Sequence, residues 1–500
     1  MSNYLIGIDN GGTSVKAVIF DEQGKEVALS SRNLKLLTPY SGYIERDIDE
    51  LWSANCFVIK DAINKAAIDP RSIKGVSMSG HGKGLYIVGR DNKPSYNGIT
   101  SMDARAHRYP QIWQEDGTDD IVYSKTYQKI LACQQVSLLR WFKDSKNAIF
   151  KDIKYVFGVK DIIRFMLTGE AYADITDFSG SNLVNIKTRQ YDEELLKCFG
   201  LEEVMNMLPP LKYPTECCGT ITKEASMLTG LKEGTPVAAG MFDIDACAIA
   251  MNIVDEKRLC VIAGTWGINE YISKYPVTNK SVMMNSLYCL PGYYLIEESS
   301  PTSASNLDWF INMFLGYERQ KALNEGANLY AYLDESIAKV KPDEQDIIFL
   351  PYIFGSNYNP DSKAALIGMD SHHTKEQITR AIYEGIVFCH KVHIDKLMQN
   401  RDKPEAIRLA GGAANSSVWV QIFSDVLNMP LEIIDIKELG AFGAAMAAGV
   451  VCGLYENLES AAAKLVNVKY KVYPNEKNIS VYMDKFERYK KASEVNINKN

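Results

Sequence analysis

The sequence predicts an α/β protein built from two duplicated domains, and three observations carry that reading. An apolar strand, a Gly11-Gly12 turn and a second apolar strand occupy residues 5–20. The same strand, Gly-Thr turn and strand return at residues 258–272, about half a chain later. With 500 residues, the chain exceeds what one hydrophobic core usually holds, and strand and helix patterns alternate through both halves.

Leu5, Ile6 and Ile8 form the first strand; Val15, Ala17, Val18, Ile19 and Phe20 form the second. Gly11 and Gly12 let backbone amides approach an anion, and Thr13 and Ser14 add hydroxyl donors beside them. Asp9, at the end of the first strand, offers a carboxylate suited to Mg²⁺ or its waters, and Lys16 stands on the return strand. The competing reading is an ordinary hairpin with an exposed Asp and Lys. The second glycine hairpin favours the phosphate-binding one.

Val27 opens a third strand, and residues 42–47 form a polar loop. Asp49 is the expected N-cap of a helix over residues 50–67. The strand from Ile73 stops at Ser79-Gly80-His81-Gly82-Lys83-Gly84, and ligands collect at strand ends in open α/β sheets. This spacing fits neither a Walker A loop nor a dinucleotide fingerprint. It is read as an acceptor-binding turn, against a bare turn. Asp103 and Arg105 end another short strand, with a surface ion pair as the plain reading of Arg105. Residues 119–168 read as helical, and an α/β insertion follows.

The strand 236–239 runs through Gly240 into an alanine-rich helix, with Asp243 and Asp245 at its start. Either acid could cap the helix. Alternatively, one accepts a proton from a substrate hydroxyl; Asp243, nearest the strand end, is the choice for base and Asp245 for cap. An aspartate of ordinary pKa, about 3.9, is already ionised at neutral pH. Further on, Gly264-Thr265 forms the second hairpin turn, and Thr374 caps a strong helix. Gly411-Gly412-Ala413-Ala414-Asn415 reads as glycines opening a helix, which suits close approach of a nucleotide. The small-residue helix 440–449 is read as a tight packing element, and the charged tail from Glu487 as fraying.

Composition narrows the function. A net charge of -7 without a basic run argues against nucleic acid, and no apolar stretch reaches membrane-spanning length. Ten cysteines without CxxC spacing read as reduced, mostly buried thiols, and the start of the chain reads as lacking a signal peptide, so a cytoplasmic location is expected.

Several segments together resemble the FGGY carbohydrate kinases. The most specific is Ala364-Ala365-Leu366-Ile367-Gly368-Met369, followed after seven residues by Gln377 to Glu384. The others are residues 7–13, 42–47, Gly264-Thr265 and Gly411-Gly412-Ala413. The resemblance covers nearly the whole chain. It implies two ribonuclease-H-like domains of the actin, Hsp70 and sugar-kinase group, with an interdomain cleft closing over ATP and a sugar. Residues 1–252 would bind the sugar and carry the base, residues 253–500 would bind the nucleotide, and the hinge would lie near residues 252–257. Carried over by motif, Asp243 is the catalytic base and Asp9 the Mg²⁺ holder. Thr13, Gly264 and Thr265 contact the transferring phosphates, and Gly411, Gly412 and Asn415 line the adenosine site. Asp103 and the His81-Gly82-Lys83 turn match acceptor-contacting positions.

That turn departs from the patterns of D-xylulose and glycerol kinases. Gly82 to Leu85, Ser137 to Trp141, Phe242-Asp243, Gly264 to Trp266 and Ser300 to Ser303 look instead like bacterial L-xylulose kinases. The implied reaction is ATP-dependent phosphorylation of a primary hydroxyl, with L-xylulose as first choice. The alternatives are D-xylulose, L-ribulose, erythritol, xylitol, glycerol, or a non-catalytic nucleotide-switched sugar-binding protein. Expected partners are ATP, Mg²⁺ and a small sugar, with a second copy of the chain as candidate homodimer partner.

Overall fold

The N-terminal hairpin forms as expected. Strand β1 (Tyr4–Asn10) pairs antiparallel with β2 (Ser14–Asp21), setting Asp9 opposite Lys16, and β3 (Glu26–Asn33) extends the meander. The structure, a computed structural model, describes residues 2–356 and 362–497. The chain divides into two compact units. The first comprises Met1–Val254, Ile272–Leu295 and Ile436–Val466; the second comprises Asp255–Tyr271, Ile296–Asp435 and Asn467–Asn500.

In the first unit, helix α1 (Ile48–Ala66) packs on β2 and β3, and β4 (Ile73–Gly80) lies parallel to β1. Helix α2 (Val159–Thr168), the one-turn helix α3 (Ile175–Phe178) and strands β5 (Cys217–Thr220), β6 (Pro236–Ala238) and β7 (Met241–Phe242) follow. Helix α4 (Asp243–Ala250) continues directly from β7. The strand order is β5-β6-β4-β1-β2-β3, with β7 paired to the end of β4 at Ser79 and Gly80. Ile6, Ile8, Val58, Ile59 and Ala62 belong to the buried core between sheet and α1.

The small-residue segment is the helix Leu439–Val451, and it belongs to this first unit. Its backbone rests on that of the sheet. A Cβ on Gly7 would lie 1.8 Å from the Ala441 carbonyl oxygen, and one on Gly75 would lie 2.5 Å from that of Ala448. On the helix itself, a Cβ on Gly443 would lie 2.2 Å from the Ala246 carbonyl oxygen of α4. Only glycine fits at these crossings.

In the second unit, β8 (Arg258–Ala263) and β9 (Gly267–Ser273) repeat the antiparallel hairpin. The unit also holds β10 (Tyr294–Ser300), helix α5 (Lys375–Leu397), β11 (Ala406–Ala410), helix α6 (Ser417–Leu427), β12 (Leu431–Ile434), β13 (Val468–Val472) and helix α7 (Glu476–Ile497). Its strands run β10-β9-β8-β11-β12-β13. As β4 lies parallel to β1, so β11 lies parallel to β8. Thr374 and Gln377 form the capping box of α5.

Several local expectations need correction. Asp47, not Asp49, caps α1: its backbone is extended and its carboxylate accepts the Glu50 N–H at 2.8 Å. Residues 119–168 are not continuously helical. Their β-branched and aromatic stretch Ile153–Phe157 becomes a strand because Tyr86–Gly89 is there to pair with it. The tail does not fray at Glu487. Helix α7 runs to Ile497 and buries Tyr482, Phe486 and Tyr489, with Phe388 of α5 5.5 Å from the Tyr489 ring; residues 498–500 lie outside the described part. All ten cysteines are reduced thiols; five are buried, four are partly buried, and Cys217 is exposed.

Replacing Gly7 by alanine should force the helix Leu439–Val451 off β1. Overpacking of this kind costs roughly 1–3 kcal/mol, so chemical denaturation should show at least that loss. An unchanged midpoint would contradict the backbone contact described.

Candidate active site

The first unit gathers most of the expected residues around the C-terminal ends of β1, β4 and β7. Asp9 closes β1 beside Ser79 of β4, whose hydroxyl donates to its Oδ1 at 2.9 Å. Burial raises the Asp9 pKa above the ordinary value, against the Ser79 hydrogen bond and the charge of Lys16. Lys16 is held by Glu438 at 2.7 Å. A Cβ on Gly440, two residues further on, would come within 3.0 Å of the Asp9 carboxyl carbon.

The Gly11-Gly12 turn does not use the left-handed backbone region that glycine permits. What glycine provides there is space: a Cβ on Gly12 would meet nothing within 4 Å. The turn is clamped from behind by Arg46, fully buried, whose guanidinium donates to the carbonyls of both Gly11 and Gly12. Thr13 is exposed and its carbonyl accepts the Leu34 N–H at 2.9 Å, while Ser14 begins β2.

Directly after β4 comes the His81–Gly84 turn. Its first N–H is donated to the Asn10 carbonyl at 3.0 Å, tying it to the end of β1. His81 is buried, with Nε2 3.0 Å from the Tyr86 hydroxyl and Nδ1 3.2 Å from the Gly82 carbonyl. Burial, helped by the charge of Arg46, depresses its pKa to about 3, so the imidazole is neutral. Gly82 faces the Phe242 ring, which an added Cβ would meet at 2.4 Å. Lys83 adopts a left-handed φ of 61° and its ammonium lies 5.4 Å from the centre of that ring.

Asp243 follows β7 as the first residue of α4. The turn before it is fixed by Gly240 at φ 81°, where a Cβ would lie 2.3 Å from the Met78 carbonyl oxygen, and by buried Arg164, which donates to the Ala239 carbonyl. Contrary to the sequence expectation, the Asp243 carboxyl is strongly tuned. Burial, and next the Asp9 carboxylate, push its pKa up to about 8. Asp245 is not the cap expected of it. It is fully buried, accepts the Cys289 N–H at 2.8 Å, and burial lifts its pKa well above the usual range.

Asp103 and Arg105 also differ from a surface pair. Arg105 is buried, donates from Nε and Nη2 to Asp103 and from Nη2 to Glu45 at 2.8 Å, and lies 4.2 Å from the centre of the Tyr43 ring. The Asp103 side chain is 0% exposed, and it also accepts the backbone N–H of Arg105 at 2.9 Å and that of Ile44 at 2.7 Å.

The second unit brings its two expected glycine segments together. Gly411 follows β11 at φ 86°, and a Cβ there would lie 2.5 Å from the Ala263 carbonyl oxygen and 2.9 Å from the Gly264 nitrogen. Gly264 accepts the Ala304 N–H at 2.9 Å, and the exposed Thr265 accepts from the Ser305 hydroxyl at its carbonyl. Gly412 and Asn415 are exposed in a short 3-10 turn. The glycines therefore open a one-turn 3-10 helix and not the α-helix itself; α6 starts after it, capped by Ser416.

Sequence reasoning missed Arg46, Ser79, Arg164 and Glu438 as parts of this arrangement. Arg46 lay within the polar segment 42–47, where its neighbours gave no periodicity to show that it would be buried. Glu438 meets Lys16 from 422 residues away, which no local spacing can reveal.

Among the described residues, no cluster of three or more His, Cys, Asp or Glu could hold a metal by itself, and no helix is long and apolar enough to cross a membrane. Comparison with known proteins agrees with the geometry. Residues 4–250 match the N-terminal domain, and residues 259–452 the C-terminal domain, of the FGGY family of carbohydrate kinases. A probable L-xylulose kinase of Haemophilus influenzae is 34% identical over 99% of both chains. An L-xylulose/3-keto-L-gulonate kinase of Escherichia coli is 33% identical over 98% of this chain and 96% of its own. The crystal structure of a ligand-bound xylulose kinase from Lactobacillus acidophilus superposes with a TM-score of 0.88 at 25% identity, covering 99% of this chain and 98% of that one. The chain belongs to the FGGY family of carbohydrate kinases.

Proposed function

We propose that this kinase transfers the γ-phosphoryl group of ATP to the primary hydroxyl of L-xylulose, giving L-xylulose 5-phosphate. The observation that carries the chemistry is Asp243, held at the end of β7 with its pKa raised to about 8 by burial and by Asp9. In its ionised form, that carboxylate takes the proton of a substrate hydroxyl. Full-length relatives named for L-xylulose, at 34% and 33% identity, support the choice of sugar.

In this reading Asp243 accepts the hydroxyl proton as the oxygen attacks the phosphorus in line, and the protein's remaining task is positioning and charge neutralisation. The donors for the phosphates are the open amides of Gly11 and Gly12 with Thr13 and Ser14, and on the second unit Gly264 and Thr265. Gly411, Gly412 and Asn415 line the adenosine. Lys16 adds charge moderated by Glu438.

The residues present fit Mg²⁺: the Asp9 carboxylate helps to raise the pKa of Asp243, and a cation held by Asp9, directly or through water, would relieve that repulsion. Bound there, Mg²⁺ supplies charge neutralisation of the phosphates. Gly82 and Lys83 contact the sugar. His81 and Asp103, whose polar atoms are engaged inside the protein, shape that contact by holding its turn and loop. The reading places the enzyme in the cytoplasm, with the acceptor side and base in the N-terminal family domain and the nucleotide side in the C-terminal one.

Two measurements test this. The raised Asp243 pKa means that the metal-free folded protein keeps a proton which the unfolded chain releases near 3.8. Its stabilisation is complete below that value and is lost as pH rises through about 8. Unfolding free energy should therefore fall from about pH 5 to about pH 8.5, and Asp243→Asn should flatten the slope. An equal slope in both proteins would contradict the raised pKa.

The second measurement is ADP release with Mg²⁺-ATP across L-xylulose, D-xylulose, L-ribulose, erythritol, xylitol, glycerol and a six-carbon keto acid. L-Xylulose should give the highest kcat/KM, and Asp243→Ala should lower it by roughly 10²- to 10⁴-fold. A different best acceptor would overturn the choice of sugar; full activity of Asp243→Ala would overturn the base.

A further inference from the structure

Two consecutive side chains of the one-turn helix α3 reach both parts of the acceptor side. The Thr176 hydroxyl accepts the Phe242 N–H at 2.9 Å and donates to Asp174 at 2.7 Å. Phe242 immediately precedes Asp243. It stands at the N-cap position of α4, and α4 has no side-chain cap. One oxygen of Asp177 accepts the N–H of Lys83 at 2.8 Å, and the other is held by Lys160 at 2.8 Å. Lys160 also reaches Asp174 at 3.3 Å, closing the network. Thr176, Asp177, Asp174 and Lys160 are all buried, so no solvent stands in for any of them.

The backbone groups at the two ends of this network lie where regular elements stop or change. The Lys83 N–H lies in a left-handed turn, and the Phe242 N–H at a helix start, where helical geometry supplies no partner. The same two segments also touch directly, the Phe242 ring filling the space where Gly82 has no Cβ. A buried ion network adds little net stability over a well-packed apolar substitute. Fixed placement of the groups it holds is what such a substitute could not reproduce.

We propose that Thr176 and Asp177 are positioning residues, which use one turn of helix to hold the Asp243 base and the Lys83 acceptor turn in a single register. This rests on the reading of Asp243 as the base. It deepens that reading by assigning the base's placement to Thr176. Misplacement of reacting groups by about 1 Å costs on the order of 10²-fold in rate.

The test compares Thr176→Val, Thr176→Ser and Asp243→Asn with the native enzyme, using kcat, KM for ATP, KM for L-xylulose and thermal midpoint. Thr176→Val, which keeps the shape and removes the hydroxyl, should lose about 10- to 100-fold in kcat. Its KM for ATP should stay within about twofold, and Thr176→Ser should recover most of the kcat. The proposal is overturned if folded Thr176→Val keeps native kcat, or if Thr176→Ser loses as much as a hydroxyl-free variant would. The Ser variant carries the test by itself should the Val variant not fold. Asp243→Asn separates the two readings. If it is inactive while Thr176→Val is native-like, only the positioning role fails; if it stays active, the base assignment fails and the positioning proposal with it.

Discussion

A Cβ at residue 7 would sit 1.8 Å from the carbonyl oxygen of Ala441, so the helix Leu439–Val451 and strand β1 meet backbone to backbone. The rest of the first unit's site follows from that contact. The helix brings Glu438 to Lys16 and Gly440 to Asp9, and Gly443 takes the backbone of α4 into the same layer. Asp9 and Asp243 thus stand at the ends of elements held by one helix from far along the sequence. The effect of the Asp9 charge on Asp243 is sustained because neither element can easily retreat.

A second constraint is the amount of charge kept inside. Arg46, Lys160 and Arg164 are fully buried, and each is aimed at backbone carbonyls or carboxylates close to a turn. Such groups seldom improve stability over apolar packing. Here each donates where a loop or strand end would otherwise be free to shift: behind the first glycine turn, under the acceptor turn, and before the base. In the second unit the two glycine segments meet backbone to backbone, Gly411 lying against Ala263 and Gly264.

Much of this was legible in the sequence because it rests on local rules. The two glycine hairpins, the strand ending just before His81, the start of α4 at Asp243 and the Thr374 capping box were all signalled by residue type and spacing. What was not legible depends on tertiary partners. Ile153–Phe157 became a strand only because Tyr86–Gly89 offered an edge, and the charged tail became a helix because Phe388 receives Tyr489. Arg105 looked like a surface ion pair, since its burial depends on Tyr43 and Trp141 around it. The tuned pKa of Asp243 depends on Asp9, 234 positions earlier in the numbering, and on burial that no sequence pattern displays.

The central chemistry is phosphoryl transfer to a primary hydroxyl of the sugar. Phosphorus NMR of the reaction with Mg²⁺-ATP and L-xylulose tests this most directly, because the multiplicity of the product signal reports whether the carbon bearing the new phosphate carries two protons or one. A triplet, from coupling to the two protons of a methylene carbon, is the result the account predicts. A doublet, from a secondary alcohol, or growth of inorganic phosphate alone would contradict it.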